Sequence, residues 1–340
     1  MGLRRLLLFE FVHADSAEFA DAPASIRTQA WAMLEAVLTD AVALNDVDVT
    51  VLLCESAAAS VRDVPAGVEL LLCPDGKSSL QALADAAGNS DFVLPIAPEW
   101  NRTLLRVAET LQPLPCHTLL PSRSMLKTCS DKLETWKGFG SSSIPMVSCE
   151  PLCGGSAGAD RSEPNSVFKP RWGAGCDGIR RGRLPQSADP RDYIRQPMIV
   201  GRSLSIGILG GPGIAQSLPV AEQIIVWDDN VPGYEGSTIP ADLPHAAESR
   251  VMRITAQVIR QIGHFQGYIG LDFLLSESDG TVYLNEINPR LCTSYVGYRE
   301  ILEFNLLDVM LGATARPVLN AIPRPIAFRT DGTTSPHQAD

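Results

Sequence analysis

Two apolar runs late in the chain, Leu271–Leu275 and Thr281–Asn288, are separated by Ser276–Gly280, a segment rich in turn formers. That spacing predicts a β-hairpin. Side chains alternate along a strand, so Glu286 and Asn288 are expected on one face, with Val282 and Leu284 beside them. Asp272 sits in the partner run between Leu271 and Phe273. A carboxylate among such neighbours is costly unless something positive meets it. Asp272, Glu286 and Asn288 are oxygen donors of the kind Mg²⁺ takes. Pro289 ends the ladder, and Arg290 follows it directly. The same spacing fits a half-exposed hairpin whose acids are solvated, and the hairpin alone does not decide between the two.

The first third of the chain alternates between two periods. Residues 3–12 read as a buried strand, Val47–Cys54 as a second, Val68–Cys73 as a third and Phe92–Pro95 as a fourth. Between them, Trp31, Leu34, Val37, Leu38 and Ala41 recur at helical spacing after Ser25, a candidate cap for a helix running to about Leu44. Ser79–Ala87 and Trp100–Leu111 read as further helices. Strands alternating with helices imply a parallel sheet covered on both faces, so residues 1–120 are expected to be a doubly wound α/β domain. No Gly-x-Gly-x-x-Gly follows the first strand, so a dinucleotide site there has little support.

Further on, short helices are expected at Ser122–Cys129 and Ser130–Lys137, and longer ones at Ala246–Gly263 and Arg299–Leu311. Leu152–Asn165 reads as a mobile loop. Val167–Phe168 opens a strand ending in Lys169-Pro170, and Gly173, Gly175 and Gly178 follow it. Glycines let successive backbone N–H groups curl around an anion, and a lysine supplies a point charge to phosphate. The run is not a P-loop. Lys132 is a second candidate cation, and on its own also reads as a solvated helix residue. Tyr193–Val200 and Ser203–Leu209 read as a hairpin around Gly201-Arg202. In it Pro197, lacking an N–H, can offer only its carbonyl. Cations, an N–H cradle and metal-binding oxygens together describe a site for a nucleoside triphosphate.

The totals exclude some partners. Lys and Arg number 28 against 39 Asp and Glu, a net charge of −11, and no basic cluster suggests nucleic acid. No apolar run approaches the roughly 20 residues of a membrane span. Arg4-Arg5 before Leu6–Phe9 imitates a signal peptide, but the run is short and Glu10 interrupts it, so it is read as the first strand. The eight cysteines include no CxxC pair, and Cys149 and Cys153 have no histidine nearby. Reduced thiols in the cytoplasm are the expectation.

The ordered set Asp131-Lys132, Val167-Phe168-Lys169-Pro170 with its glycines, Arg195–Leu209, Asp272 and Glu286-Ile287-Asn288-Pro289-Arg290 resembles the ATP-grasp superfamily over roughly residues 120–312. The resemblance implies an α/β N-terminal domain (1–120) followed by an α+β ATP-grasp domain. That domain would comprise a lid subdomain (121–200) and a C-terminal catalytic subdomain (201–321), with the nucleotide between them and a loose tail at 322–340. A lid at about 150–180 would close on ATP. Members join a carboxylate to a nucleophile, usually an amine, through an acyl phosphate. Carried over by position, Lys132 and Lys169 would hold phosphates and the glycine-rich loop would cover them. Pro197 and Ile199 would meet the adenine through carbonyl and N–H. Asp272, Glu286 and Asn288 would hold two Mg²⁺ (or Mn²⁺), and Arg290 would stabilise charge on the transferred phosphoryl group. Gln196 stands where members usually have Glu before the adenine contacts, and Ser203 where an acid often holds the ribose. These two departures leave ATP versus GTP open.

Within the superfamily, Asn288-Pro289-Arg290-Leu291 followed by Thr293-Ser294-Tyr295-Val296-Gly297 resembles the tyramine–glutamate ligases of methanofuran biosynthesis. So do Phe9-Glu10-Phe11 with Met33-Leu34, and Tyr234-Glu235-Gly236 followed by Pro240. Cys292 stands where that group tends to have Thr, and Thr28-Gln29-Ala30 replaces its Glu-Gly pair. The implied substrates are small molecules: glutamate as carboxylate and an amine such as tyramine or a relative. Thr293, Ser294 and Tyr295 are expected beside the γ-phosphate, and Tyr234 and Glu235 in a loop over the amine end. A non-catalytic nucleotide-binding protein, a carboxyl-phosphate-forming enzyme and a homo-oligomer all stay open.

Overall fold

The computed structural model describes residues 2–61, 64–140, 143–152, 162–312 and 324–337. Its first layer is a five-stranded sheet of β1 (Arg4–Glu10), β2 (Val47–Cys54), β3 (Val68–Cys73), β4 (Phe92–Ile96) and β5 (His117–Thr118). All neighbours are parallel, in the order β3-β2-β1-β4-β5. The continuous apolar run of β1 serves two cores. Leu6 and Leu8 pack with Leu34, Val37 and Leu38 of the helix Ala24–Val42, while Leu7 and Phe9 pack with Leu83, Leu104 and Val107 on the other face. A strand covered on both sides needs no polar face, which is why alternation is missing from its sequence.

A second, antiparallel sheet holds β6 (Glu150–Pro151), β7 (Ser162–Pro170), β8 (Arg180–Arg183) and β9 (Tyr193–Pro197), in the order β6-β9-β7-β8. The loop expected at Leu152–Asn165 lies outside the described residues over 153–161, and Cys153 with it. Its last residues, 162–165, already belong to β7.

The third sheet has eight strands: β10 (Gly201–Gly211), β11 (Ile214–Ser217), β12 (Ala221–Asp228), β13 (Val231–Ile239), β14 (Gly267–Ser276), β15 (Val282–Asn288), β16 (Ile326–Arg329) and β17 (Thr334–Pro336). The helix His245–Ile262 covers it, burying Val251, Ile254 and Val258 against Leu204, Ile206, Leu271 and Leu284. Among the described residues no helix is long and apolar enough to cross a membrane.

Three sequence expectations change here. The runs 193–200 and 203–209 are not two arms of one hairpin. β9 pairs with β6 and β7, whereas β10 pairs with β14 and β12. Residues 198–200 therefore link two sheets. At the end of the link Gly201 has φ +156°, and a Cβ there would lie 1.9 Å from the Leu275 carbonyl oxygen. Gly201→Ala is expected to destabilise the fold by about 3 kcal/mol or more, read as a lowered urea midpoint at unchanged m-value.

The expected final helix is two, Ser294–Ile301 and Leu306–Met310, the second restarted by the Asn305 side chain accepting from the Asp308 N–H at 3.1 Å. The expected loose tail supplies β16 and β17. β16 pairs with β13 and buries Phe328. Residues 322–323 and 338–340 lie outside the described part.

Candidate active site

A cleft of about 1260 Å³ runs between the sheet of β6–β9 and the sheet of β10–β17 and reaches the first domain. One irregularity decides which side chains enter it. In the β14–β15 register Asp272 faces Glu286, but Phe273 faces Leu284, so Asn285 is an extra residue. In an unbroken strand Val282, Leu284, Glu286 and Asn288 would share a face, as the alternation predicts. The bulge shifts the phase by one residue. Val282, Leu284 and Ile287 point into the apolar core, while Asn285, Glu286 and Asn288 line the cleft. Asp272 lines it from β14.

Charges converge at this point. Lys132 Nζ lies 2.8 Å from Glu286 Oε1, and Lys169 Nζ donates to Asn285 Oδ1 at 2.9 Å. Asp272 Oδ1 accepts from Gln223 Nε2 at 2.9 Å and Oδ2 from Asn288 Nδ2 at 2.7 Å. Burial and then the nearby Glu286 charge push the Asp272 carboxyl up to about 7. Burial lowers the Lys169 pKa, Glu286 partly offsets this, and Lys132 adds to it. Two facing carboxylates with an amide beside them form a hard-oxygen donor set, and their mutual repulsion is what a divalent cation would relieve. The set thus fits Mg²⁺ or Mn²⁺, with one amide among its three donors. Among the described residues no three His, Cys, Asp or Glu side chains gather to hold a metal.

The Asp272 shift has a stability consequence. Its pKa is raised on folding, so its contribution is fully present below the unfolded value near 4 and is lost as pH rises towards 7. Asp272→Asn is therefore expected to gain stability relative to the parent as pH rises from about 4 through 7, levelling off about one unit above. Urea midpoints of both chains in EDTA across that range check this.

The glycine-rich loop leaves β7 at Pro170. Gly178 has φ +71°, and a Cβ there would sit 2.7 Å from the Pro170 ring. Asp131-Lys132 holds this loop from behind. Arg171 donates to both Asp131 oxygens at 3.2 and 2.5 Å, the Lys132 N–H donates to the Arg171 carbonyl at 3.0 Å, and Lys132 Nζ donates to the Gly173 carbonyl at 2.8 Å. Trp172 meets the guanidinium groups of Arg171 and Arg102 at 4.5 and 5.1 Å. Gly173, Gly175, Gly178 and Lys169 line the cleft. Lys132 does not, because its ammonium is spent on Glu286 and the loop.

Gln196, Pro197, Ile199 and Ser203 also line the cleft. Gln196 is 5% exposed, and its Oε1 has no hydrogen-bond partner.

Arg290 enters from the third side. Its Nε and Nη2 donate to the two Glu99 oxygens at 2.9 and 3.0 Å. The side chains are 11% and 3% exposed. Burial, the largest single influence, would lower the Arg290 pKa, but the charge and hydrogen bonds of Glu99, with Cys292 and Glu286 nearby, together outweigh it and hold the pKa above its usual value. Glu99→Ala would leave that guanidinium buried and unpaired, at an expected cost of about 3–5 kcal/mol, measurable as a lower urea midpoint.

The substrate candidates divide. Thr293 lines the cleft and accepts from Gln29 Nε2 at 2.6 Å. Ser294 lines it too, its hydroxyl 2.9 Å from that of Tyr268. Tyr295 does not: it is fully buried, and its hydroxyl donates to Asp40 at 2.6 Å. Tyr234 reaches the cleft, with its hydroxyl 2.9 Å from Ser237. It lies on β13 rather than in a loop, and Glu235 beside it is exposed away from the cleft. Glu99, Gln223 and Asn285 carry no expectation from the sequence, and Gln29 enters there only as a departure from a Glu-Gly pair. The position of Glu99, just past the carboxyl end of β4, is the one available signal, since open α/β sheets gather ligands there.

Residues 129–294 match the family model of the ATP-grasp domain. Over 247 residues the chain is 22% identical to the tyramine–L-glutamate ligase of Methanocaldococcus fervens, covering 71% of this chain and 70% of that one. It is 28% identical over 163 residues to a D-alanine–D-alanine ligase of Synechococcus, covering 46% of this chain and 42% of the relative. The fold matches an ATP-grasp superfamily protein from Archaeoglobus fulgidus with a TM-score of 0.72 at 20% identity, covering 96% of this chain and 92% of that one. The chain has the ATP-grasp fold.

Proposed function

We propose that this ATP-grasp protein is a carboxylate–amine ligase. It would use ATP to activate a carboxylate, that of glutamate in our reading, as an acyl phosphate, and pass the acyl group to an amine such as tyramine or a relative. The observation that carries this is the meeting of Asp272 and Glu286 across the bulged hairpin, in a cleft shared with Lys169 and Arg290. A pure nucleotide-binding protein has no need of a buried arginine placed beyond the metal donors.

The placement of these residues around one cleft supports the following roles. Lys169 would meet the triphosphate as a point charge, and N–H groups of Gly173, Gly175 and Gly178 would cradle it. The Pro197 carbonyl and Ile199 N–H would read the base, with Gln196 beside them and Ser203 at the ribose. Asp272, Glu286 and Asn288 would hold Mg²⁺ or Mn²⁺. When bound, the metal neutralises phosphate charge. Lys132 keeps the glycine-rich loop and Glu286 in place. Arg290, oriented by Glu99, would stabilise charge developing on the phosphoryl group and then on the acyl phosphate. Thr293 keeps its hydroxyl proton to donate, since its oxygen already accepts from Gln29. In bond terms, a carboxylate oxygen attacks the γ-phosphorus and ADP leaves. The neutral amine then attacks the acyl carbon, phosphate leaves with that oxygen, and the proton given up by the nitrogen goes to the departing phosphate or to water. The sheet of β6–β9 would keep water from the acyl phosphate. We take residues 1–120, 121–200 and 201–321 as the units that carry these parts.

Two measurements test this. Lys169→Ala is expected to weaken ATP binding roughly 10- to 100-fold by calorimetry, and unchanged affinity would remove the phosphate site from Lys169. ADP release is then measured with glutamate and each of a panel of aromatic amines, with the product's mass read directly. Release with another acid but never with glutamate overturns the substrate. No release with any carboxylate–amine pair overturns the ligase.

A further inference from the structure

A second cavity of about 70 Å³ opens off the main cleft at the carboxyl ends of β1 and β4. The strand order reverses between these two, which makes this the switch point where open α/β sheets place ligands. The cavity shares half of its lining with the cleft, Ile26, Trp100, Arg290 and Thr293 among it, so a group seated in it belongs to a molecule whose remainder lies beside Arg290.

Its walls are apolar. Ile26, Ala30 and Met33 come from the helix Ala24–Val42, Val12 from the one-turn helix Phe11–Ala14 after β1, Ile96 from the last position of β4 and Trp100 from just beyond it. Apart from the Thr293 hydroxyl proton at the mouth, the polar side chains on the wall are engaged within the protein. The Glu10 carboxylate accepts from the Val12 N–H at 3.1 Å, the His13 N–H at 2.9 Å and His13 Nδ1 at 2.6 Å. Gln29 is bonded to Thr293, and Arg290 to Glu99. The two charges on the wall, Glu10 and Arg290, are already held by partners, so a charged group that entered the apolar end would lose water for little return. At roughly 10–15 Å³ per water centre, the volume holds about five waters, the bulk of a phenyl ring or a short branched alkyl group.

We infer that this cavity is a specificity pocket for an uncharged apolar group, phenyl or branched alkyl, carried by one of the two ligase substrates. The inference rests on the ligase reading and narrows its substrate class. The amine is the expected carrier, because Glu18 and Asp21 line the cleft on this side and suit a cationic molecule. The glutamate side chain is not accommodated here.

The test is calorimetry on the full chain with a non-hydrolysable ATP analogue bound, titrating phenethylamine and, separately, 3-phenylpropionate. One of the two is expected to bind at about 1 mM or tighter, the amine if the carrier is assigned correctly. Ala30→Leu, which fills the pocket, is expected to weaken that binding at least about tenfold while the nucleotide analogue binds as before. If Ala30→Leu does not fold, Met33→Ala takes its place: the enlarged pocket is expected to bind 2-naphthylethylamine, or 3-(2-naphthyl)propionate if the acid is the carrier, more tightly than the parent does. Binding of neither parent ligand, or variants indistinguishable from the parent, overturns the pocket. Binding as expected, with no ADP release from any carboxylate–amine pair, upholds the pocket and overturns the ligase reading instead.

Discussion

Arg290→Lys is expected to fold and to bind ATP like the parent, yet to release ADP at least about 10²-fold more slowly. The change keeps the positive charge that Glu99 needs, so the buried pair survives as a pair. It removes the fork. In the parent, Nε and Nη2 hold both Glu99 oxygens at 2.9 and 3.0 Å, which fixes the guanidinium plane and leaves Nη1 on the Leu291 carbonyl at 3.1 Å. An ammonium on a flexible stem cannot hold that plane while meeting an oxygen whose charge grows during phosphoryl transfer. The loss should fall on kcat rather than on the KM for ATP, because the interaction strengthens only in the transition state. A kcat within a few-fold of the parent would remove Arg290 from the chemistry.

Glu286→Gln and Asn288→Ala should each keep the fold and lose turnover, by roughly 10³-fold for Glu286→Gln. The bulge at Asn285 turns both side chains out of the apolar core and into the cleft, so neither change opens a cavity beneath the sheet. Glu286→Gln removes one of the two facing carboxylates and the partner of Lys132, whose ammonium is 2.8 Å away. Asn288→Ala removes a neutral donor, so excess Mg²⁺ should restore part of its rate. Rates of both variants measured against Mg²⁺ concentration check this. Parental rates at limiting Mg²⁺ would mean that the metal is not held here.

Much of this site was legible in the sequence because its parts lie on local patterns. Strand–helix alternation exposed the parallel sheet, and two short apolar runs exposed the hairpin and its oxygen donors. What escaped depends on contacts between distant residues. Arg290 and Glu99 are 191 positions apart, and no local pattern in Pro98-Glu99-Trp100 announces an ion pair. Asn285 is invisible as a bulge, since Val282 to Asn288 counts as plain alternation until pairing with β14 is known. Gly201-Arg202 between two strand-like runs reads as a turn, and only the approach to the Leu275 carbonyl shows that the chain is changing sheets there. Thr293, Ser294 and Tyr295 are adjacent in the sequence, which by itself groups them. On the helix starting at Ser294 each residue turns about 100° from the last, so Tyr295 faces Asp40 in the core rather than the cleft. The inward direction of the Lys132 ammonium is likewise hidden in the sequence, because its two partners come from the glycine-rich loop and from β15.

The claim that most needs testing is that a carboxylate is activated by phosphoryl transfer in this cleft. The direct measurement uses glutamate labelled with ¹⁸O in its carboxylates, incubated with ATP, Mg²⁺ and an aromatic amine, with the released phosphate examined by ³¹P NMR or mass spectrometry. If an acyl phosphate forms and the amine displaces it, one labelled oxygen passes from the carboxylate to each phosphate released. Phosphate that forms together with ADP but carries no label would mean that water, not a carboxylate, attacks the nucleotide, and would contradict the account.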